Sequence, residues 1–263
     1  MIVLDHPGWH AGADGGHYRA VRGKDATWLA AVAEGRRAPR LTRVAGIGAT
    51  RPKLDSFDPA RLDAHRLLVA PLRQAGQVRR LRNPDLWDAI ANSIIRQVIR
   101  AGHARAMYRT FCQRHGQPVE TPAGPVHLSP DAATVASLPE REFRSLGMAF
   151  KAAPLRNAAH AYLEHAHAWA AMDPNELVED IQRVPRIGPW TAGASVADYT
   201  NDYRLYPFAD LAVRTWAHEL APTLSLPREE SAFARRWDTL AKDQLGELTL
   251  LTLAWGARHA HTR

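Results

Sequence analysis

Residues 174–216 read PNELVEDIQRVPRIGPWTAGASVADYTNDYRLYPFADLAVRTW, and this stretch decides the fold. Leu177, Val178 and Ile181 fall at helical spacing and mark one buried face, with Asp173 placed to cap the helix ahead of Pro174. The spacing predicts a first helix over 174–183, a tight turn over 185–188, and a second helix over 190–199 with Pro189 in its first turn. So short a hairpin leaves the first N–H groups of the second helix without intrahelical partners, and a helix N-terminus in that state is an anion site. Gly188 would let an anionic backbone approach closely. About twenty residues on, Tyr206-Pro207-Phe208-Ala209-Asp210-Leu211 sets one carboxylate immediately before another helix, among aromatic and aliphatic side chains.

Upstream, Asn83-Pro84 reads as an N-cap and first helical residue. Trp87, Ile90, Ala91, Ile94, Ile95, Val98 and Ile99 then repeat with the period of a helix buried on one face. Further helices are expected over 103–115, 130–137, 140–146, 151–168, 211–221, 228–243 and 246–259, with a Gly/Pro-rich loop over 116–129. Everything beyond Asn83 reads as nearly all α. Residues 1–70 are rich in Gly, His, Arg and Pro. There we expect a short helix over 27–34, a strand over 41–47 and a helix over 61–73. The organisation expected is a small α+β region over 1–70 before a helical domain over 71–263.

Composition narrows the function. The 263 residues are 46% hydrophobic and 23% charged, which is a globular and not a disordered balance. No apolar run approaches the ~18 residues of a membrane span, and the start lacks the pattern of an export signal, so a cytoplasmic protein is expected. The single cysteine, Cys112, excludes an internal disulfide, a four-cysteine zinc site and an iron–sulfur cluster held within the chain. His160, His165 and His167 cluster, as do His259 and His261, but their spacing fits no standard metal set and reads as surface. No side-chain metal site is expected. The net charge is +7, and 30 of the 34 basic residues are arginine. An arginine-rich genome would give the same bias. The distribution says more: residues 1–110 carry 19 basic against 9 acidic groups, and the remainder 15 against 18. A clustered excess of planar, permanently charged donors fits a polyanion, most simply nucleic acid.

Four segments together resemble the helix-hairpin-helix DNA glycosylases. Val184-Pro185-Arg186-Ile187-Gly188-Pro189-Trp190-Thr191-Ala192 is similar to the hairpin of that superfamily, and Tyr206–Leu211 to the segment bearing its catalytic aspartate. The run from Trp87 to Gln97 resembles its Ala-Ile-Ile-x-Gln-Gln helix, and Glu142 to Ala152 its Leu-Gly-x-x-x-Lys-Ala turn. The order matches over about residues 83–258, and the nearest branch in pattern is the bacterial 3-methyladenine DNA glycosylase II group. The sequence departs from the pattern where the first hairpin glycine is Arg186, where the second glutamine is Val98, and where flanking serines are Arg96 and Arg100.

The resemblance implies a mostly α fold, two helical subdomains flanking a cleft, and a reduced α+β N-terminal region. It implies double-stranded DNA as partner, a monomer, and a base-excision enzyme that flips a modified base out of the duplex. Asp210 would be catalytic; Trp190, Gln97, Tyr206, Phe208 and Trp216 would line the base pocket. Arg186, Ile187, Gly188, Pro189, Thr191, Arg96 and Arg100 would meet the DNA. In that superfamily a lysine at the position of Trp190 marks enzymes that also nick the strand through a Schiff base. Its absence implies a monofunctional enzyme that leaves an abasic site. Aromatic walls favour a base made cationic by alkylation, which points to an alkylated purine. The superfamily also holds a monovalent cation, Na+ or K+, on three hairpin carbonyls, which here would be those of Gln182, Val184 and Ile187; no other cofactor is expected.

Each feature has a plainer meaning. An aspartate before a helix ordinarily caps it. Aromatic residues ordinarily pack in a core, and Gln97 could serve a buried polar network. A DNA-binding protein that kept the fold without useful catalysis, and a glycosylase for deaminated bases or a bulky adduct, are the competing functions.

Overall fold

The computed structural model describes residues 1–36 and 38–259. At the N-terminus β1 (His10–Ala11), β2 (His17–Arg22), β3 (Ala26–Val32) and β4 (Arg40–Gly46) form an antiparallel sheet in that order. The helix expected over 27–34 is therefore strand β3. Its alanines favour a helix locally, but Ala26, Trp28, Ala30 and Val32 are buried with a period of two, and the strand is paired on both edges. Cross-strand packing has overridden propensity. The strand expected over 41–47 is β4. Next, β5 (Leu54–Phe57) pairs antiparallel with β6 (Val78–Leu81), with α1 (Arg66–Ala75) between them in the chain. Ile2 bridges Arg79 in parallel, so the first residues join this ladder. The boundary expected at residue 70 falls inside α1. The N-terminal region is richer in strand than the sequence suggested.

The helical part follows the expected order: α2 (Leu86–Arg96), α3 (Ala101–His115), α4 (Ala132–Ser137), α5 (Glu140–Ser145), α6 (Ala149–Trp169), α7 (Pro174–Gln182), α8 (Pro189–Thr200), α9 (Leu211–Leu220), α10 (Glu230–Ala241) and α11 (Leu245–His259). A two-residue hairpin, β7 (Pro118–Val119) with β8 (Val126–His127), closes the loop over 116–129. Two apolar cores meet at α8. Ala192 and Val196 join one with Trp87, Ile90, Ile94, Phe143 and Leu155; Ala194 and Ala197 join the other with Val213, Phe233, Trp237 and Leu248. Because α8 is buried on both sides by small residues, it lies deep between the subdomains with only its N-terminal turn exposed. Gly193 lets it approach the following loop: a Cβ there would lie 2.4 Å from the Leu205 carbonyl oxygen. No helix of the described residues is long and apolar enough to cross a membrane.

A buried ionic network ties the N-terminal strands to α2 and α8. The N-cap of α2 is Asp85, not Asn83: the Asp85 carboxylate accepts from the Asp88 N–H at 3.3 Å, whereas Asn83 stands two residues too early. Asn83 instead donates from Nδ2 to Asp88 Oδ2 at 3.1 Å and to Asp198 Oδ2 at 2.8 Å. Asp88 also faces His6 Nε2 at 3.1 Å, Arg19 at 3.4 Å and the Tyr108 hydroxyl at 2.6 Å. Asp198 is paired with Arg80, which also donates to Asp5 Oδ2 at 3.1 Å. Burial alone would raise both carboxyls; the Arg80 charge instead takes Asp198 down to about 2, and His6 and Arg19 hold Asp88 lower still. Burial beside Asp88 pushes Asp85 up to about 6. Burial, with Arg19 alongside, keeps His6 below its ordinary value, so its ring is neutral; Nδ1 accepts from Gly8 N–H at 3.1 Å, which leaves the proton on Nε2 toward Asp88. Asn83→Ala removes two hydrogen bonds to buried carboxylates, and we expect a loss of about 2–4 kcal/mol in chemical denaturation, with the midpoint lowered and the denaturant slope unchanged. A loss under about 0.5 kcal/mol would show that the bridge contributes little.

Candidate active site

The hairpin between α7 and α8 is closed by Val184 N–H to the Ile181 carbonyl and Ile187 N–H to the Val184 carbonyl, at 3.2 and 3.1 Å. Asp173 caps α7 as expected. Arg186 adopts φ +71, the left-handed region, at a cost of roughly 1–2 kcal/mol for a residue with a Cβ. The resembled pattern has glycine at this position, and the turn explains why. The N-cap of α8 is Gly188, which offers no side-chain cap, and Pro189 has no N–H. The N–H groups that follow are therefore left for an outside acceptor, beside the exposed Arg186, Gly188 and Pro189, with open space where a Gly188 side chain would be. Ile187 is buried and anchors the turn in the core. Thr191 is buried too, and its hydroxyl is committed to Gln97 Nε2 at 2.6 Å.

Asp210 occupies the N-cap position of α9, yet its side chain accepts nothing from that helix. Asp58, Asp85, Asp131 and Asp173, at the other aspartate caps of the described residues, all hold a helix N–H with their carboxylates. The Asp210 carboxylate instead accepts from the Tyr206 hydroxyl at 3.0 Å. It lies at the N-terminal end of α9. Tyr206 is buried and stacks on Tyr203 at 5.5 Å, and the Arg80 guanidinium lies 5.4 Å from the Tyr203 ring. Burial pushes the Tyr206 hydroxyl well above its ordinary value, so it stays a donor.

Two predicted pocket residues, Trp190 and Tyr206, converge here. Trp190 is half-buried in the first turn of α8, and the Arg96 guanidinium lies over its ring at 5.7 Å. The Arg96 charge also acts on Tyr206, which puts Trp190, Arg96, Tyr206 and Asp210 in one set. Arg96 is half-buried and lies over Trp190. Gln97 couples the end of α2 to the start of α8 through Thr191. Phe208 packs on the α9–α11 core. Trp216 lies against α11, its ring filling the space over Gly256, where a Cβ would come within 2.1 Å. Arg100 is exposed at the N-cap of α3 and caps nothing.

Two features escaped the sequence reading. Val98, treated there as part of the apolar stripe, is fully exposed and sits at φ +60, an outlying conformation for a β-branched residue. Lys151, a residue only 2% exposed, holds the turn: its Nζ donates to the Ile94 and Gln97 carbonyls at 2.7 and 2.8 Å. This is the structural use of the Leu-Gly-x-x-x-Lys-Ala segment, a cation on the last carbonyls of a helix. Phe150, next to that lysine, is a second exposed apolar side chain on the same rim. The signal for Val98 was its departure from the resembled pattern. Among the described residues no His, Cys, Asp and Glu side chains group as a metal set, and His261 lies outside those residues.

The sequence matches no protein-family model and no curated protein. The fold does match solved structures. One is the Clostridium acetobutylicum 8-oxoguanine glycosylase/lyase bound to double-stranded DNA with cytosine opposite 8-oxoguanine: TM-score 0.73, 13% identity, 98% of this chain and 91% of that one. Another is the 3-methyladenine DNA glycosylase from Archaeoglobus fulgidus: TM-score 0.71, 16% identity, 97% and 91% of the two chains. The chain has the helix-hairpin-helix DNA glycosylase fold. In this glycosylase fold the chain keeps the hairpin, the pre-helix aspartate and the clamped α2 terminus while replacing a turn glycine by Arg186. Arg186→Gly separates the two consequences of that replacement. We expect a gain of about 1 kcal/mol in stability from the relieved turn, and a fall of about one in the slope of log affinity for duplex DNA against log salt. An unchanged salt slope would remove Arg186 from the DNA interface.

Proposed function

We propose that this protein is a monofunctional DNA glycosylase that flips a modified base from double-stranded DNA and hydrolyses its N-glycosidic bond, acting as a monomer. The observation that carries the reading is the Asp210 carboxylate: alone among the aspartate caps of the described residues it leaves its helix uncapped, and it is held by Tyr206 in the set that includes Trp190. A fixed carboxylate there would stabilise the cationic character that develops on the deoxyribose and take the proton of the attacking water. The α8 N-terminus and Arg186 would hold the phosphates, with Arg100 adding a second contact. The hairpin carbonyls of Gln182, Val184 and Ile187 would hold a monovalent cation that ties this turn to the DNA backbone. The Val184 carbonyl, which accepts from Ile187 N–H, has a second lone pair for that ion.

Monofunctional action is supported by Trp190 at the position where a Schiff-base lysine would stand. Burial takes the Lys151 ammonium down to about 8, the direction an amine nucleophile needs, but its hydrogen bonds to two carbonyls and its 2% exposure withhold it from a sugar. Purified protein incubated with lesion-bearing duplex should leave abasic sites that break only after hot alkali, and borohydride should trap no covalent adduct. Asp210→Asn should lower the rate at least ~10³-fold with DNA affinity retained. Unchanged excision by that variant would sink the assignment; tight, salt-sensitive binding without any excision would favour a DNA-binding protein on the same fold.

Val98 takes the role of the wedge that fills the gap left by the flipped base. An apolar side chain held fully exposed against its backbone preference is a feature that binding, and not folding, would use. Phe150 would buttress the same rim. Val98→Gly should therefore raise stability by about 1 kcal/mol, since the left-handed residue no longer carries a Cβ, while slowing single-turnover excision by roughly 10–100-fold. If excision is unaffected, the wedge lies elsewhere. Every base has a face to stack on Trp190, so the aromatic wall does not by itself choose the target; taken without its neighbours, that wall favours an alkylated purine.

A further inference from the structure

We infer that Arg96 selects the target base: it excludes cationic, alkylated bases and favours neutral lesions that present a carbonyl oxygen, such as oxidised or deaminated bases. This rests on the glycosylase reading above. The guanidinium covers the Trp190 ring at 5.7 Å, and its charge acts on Tyr206, the residue that holds Asp210 at 3.0 Å. Its neighbours are thus an indole face and a phenol, both neutral. Among the described residues no carboxylate forms an ion pair with Arg96; Asp5 and Asp198 act on it only at longer range. The aromatic face that would attract a cationic base already carries a permanent cation of the protein. A second positive charge about 5 Å away would be disfavoured by roughly 100-fold.

The same charge suits the opposite chemistry. An alkylated base is cationic and departs neutral, without help. A neutral base departs as an anion. In that step the C1′–N bond breaks, its electron pair leaves with the base nitrogen and spreads onto the exocyclic carbonyl oxygen. Water supplies the oxygen that bonds C1′, and its proton passes to Asp210. A guanidinium beside Trp190 offers several N–H donors to that oxygen and a charge to match the departing anion. Asp210 and Arg96 then stabilise the two halves of the separating charge from either side of the bond, linked through Tyr206.

The test compares single-turnover excision by the full chain on duplexes with one 7-methylguanine, hypoxanthine, uracil or 8-oxoguanine. Wild type should act on at least one neutral carbonyl base at least ~100-fold faster, relative to the spontaneous rate, than on 7-methylguanine. Arg96→Met, similar in length but uncharged, should lower that rate about 100-fold and raise excision of 7-methylguanine at least ~10-fold; Arg96→Lys should restore part of the preference. Circular dichroism and affinity for undamaged duplex control for folding and for phosphate binding. Wild-type preference for 7-methylguanine, or an equal loss on all bases in Arg96→Met, would overturn the inference while leaving the glycosylase reading intact. A loss only of undamaged-DNA affinity and salt slope would recast Arg96 as a phosphate contact. No excision of any base by wild type would bring down both readings together.

Discussion

The position of everything near the cleft depends on Asp88 and Asp198 being buried and fully satisfied. An ionised carboxylate taken out of water is strongly destabilising unless charge and hydrogen bonds replace its hydration. Here Asn83 joins the two carboxylates, Arg80 and Arg19 neutralise them, the Tyr108 hydroxyl donates to Asp88, and the His6 ring lies 3.1 Å from it. The donors come from the first residues of the chain, β2, β6, the β6–α2 connection and α3, and the acceptors from α2 and α8. The N-terminal strands therefore cannot shift without stranding charge. The constraint reaches the site directly, because Arg80 also lies over Tyr203, whose ring stacks on Tyr206, which holds Asp210.

Where the network fixes the framework, two strained turns sit at its edge. Val98 and Arg186 both occupy the left-handed region, and both are exposed. Each is held by something deeper: Val98 by the Lys151 bridge to the carbonyls of Ile94 and Gln97, Arg186 by the buried Val184 and Ile187 on either side. Strain that folding alone would remove, kept at two exposed turns, is what a binding surface would use. The exposed N-terminus of α8 stands at one of these points, and Gln97 links α8 to the other.

Much of this was legible from the chain, because the features involved are local. The helical order beyond Asn83, the Asp173 cap, the hairpin and the pre-helix Asp210 each follow from spacing, capping chemistry or turn residues within a few positions. What escaped depends on partners distant in sequence. Strand β3 looked helical because its alanines prefer a helix until β2 and β4 pair with it. Asn83 looked like a cap because its real partner Asp198 is 115 residues away. The positive excess of residues 1–110 looked like a DNA-facing arm, yet Arg19, Arg22, Arg80 and Arg82 are spent inward on Asp88, Asp85, Asp198 and Asp55. Counting charges overstates a phosphate surface whenever the fold buries ion pairs. Arg96 differs from these: it pairs with no carboxylate among the described residues and lies over Trp190.

That placement bears on chemistry more than on fold. A pocket judged from aromatic content alone invites a cationic guest, since rings attract cations. The structure shows the ring already partnered, and the partner cannot lose its charge near neutral pH. Electrostatic catalysis acts on the difference between ground state and transition state. A fixed cation is of no use to a leaving group that departs neutral, and of most use to one that departs as an anion. On the proposed reading, Asp210 on the sugar side and Arg96 on the base side would polarise the site along the bond to be broken. Such a polarity would act on a neutral glycosidic bond, the harder one to cleave, and would account for an arginine where the resembled pattern has a small residue.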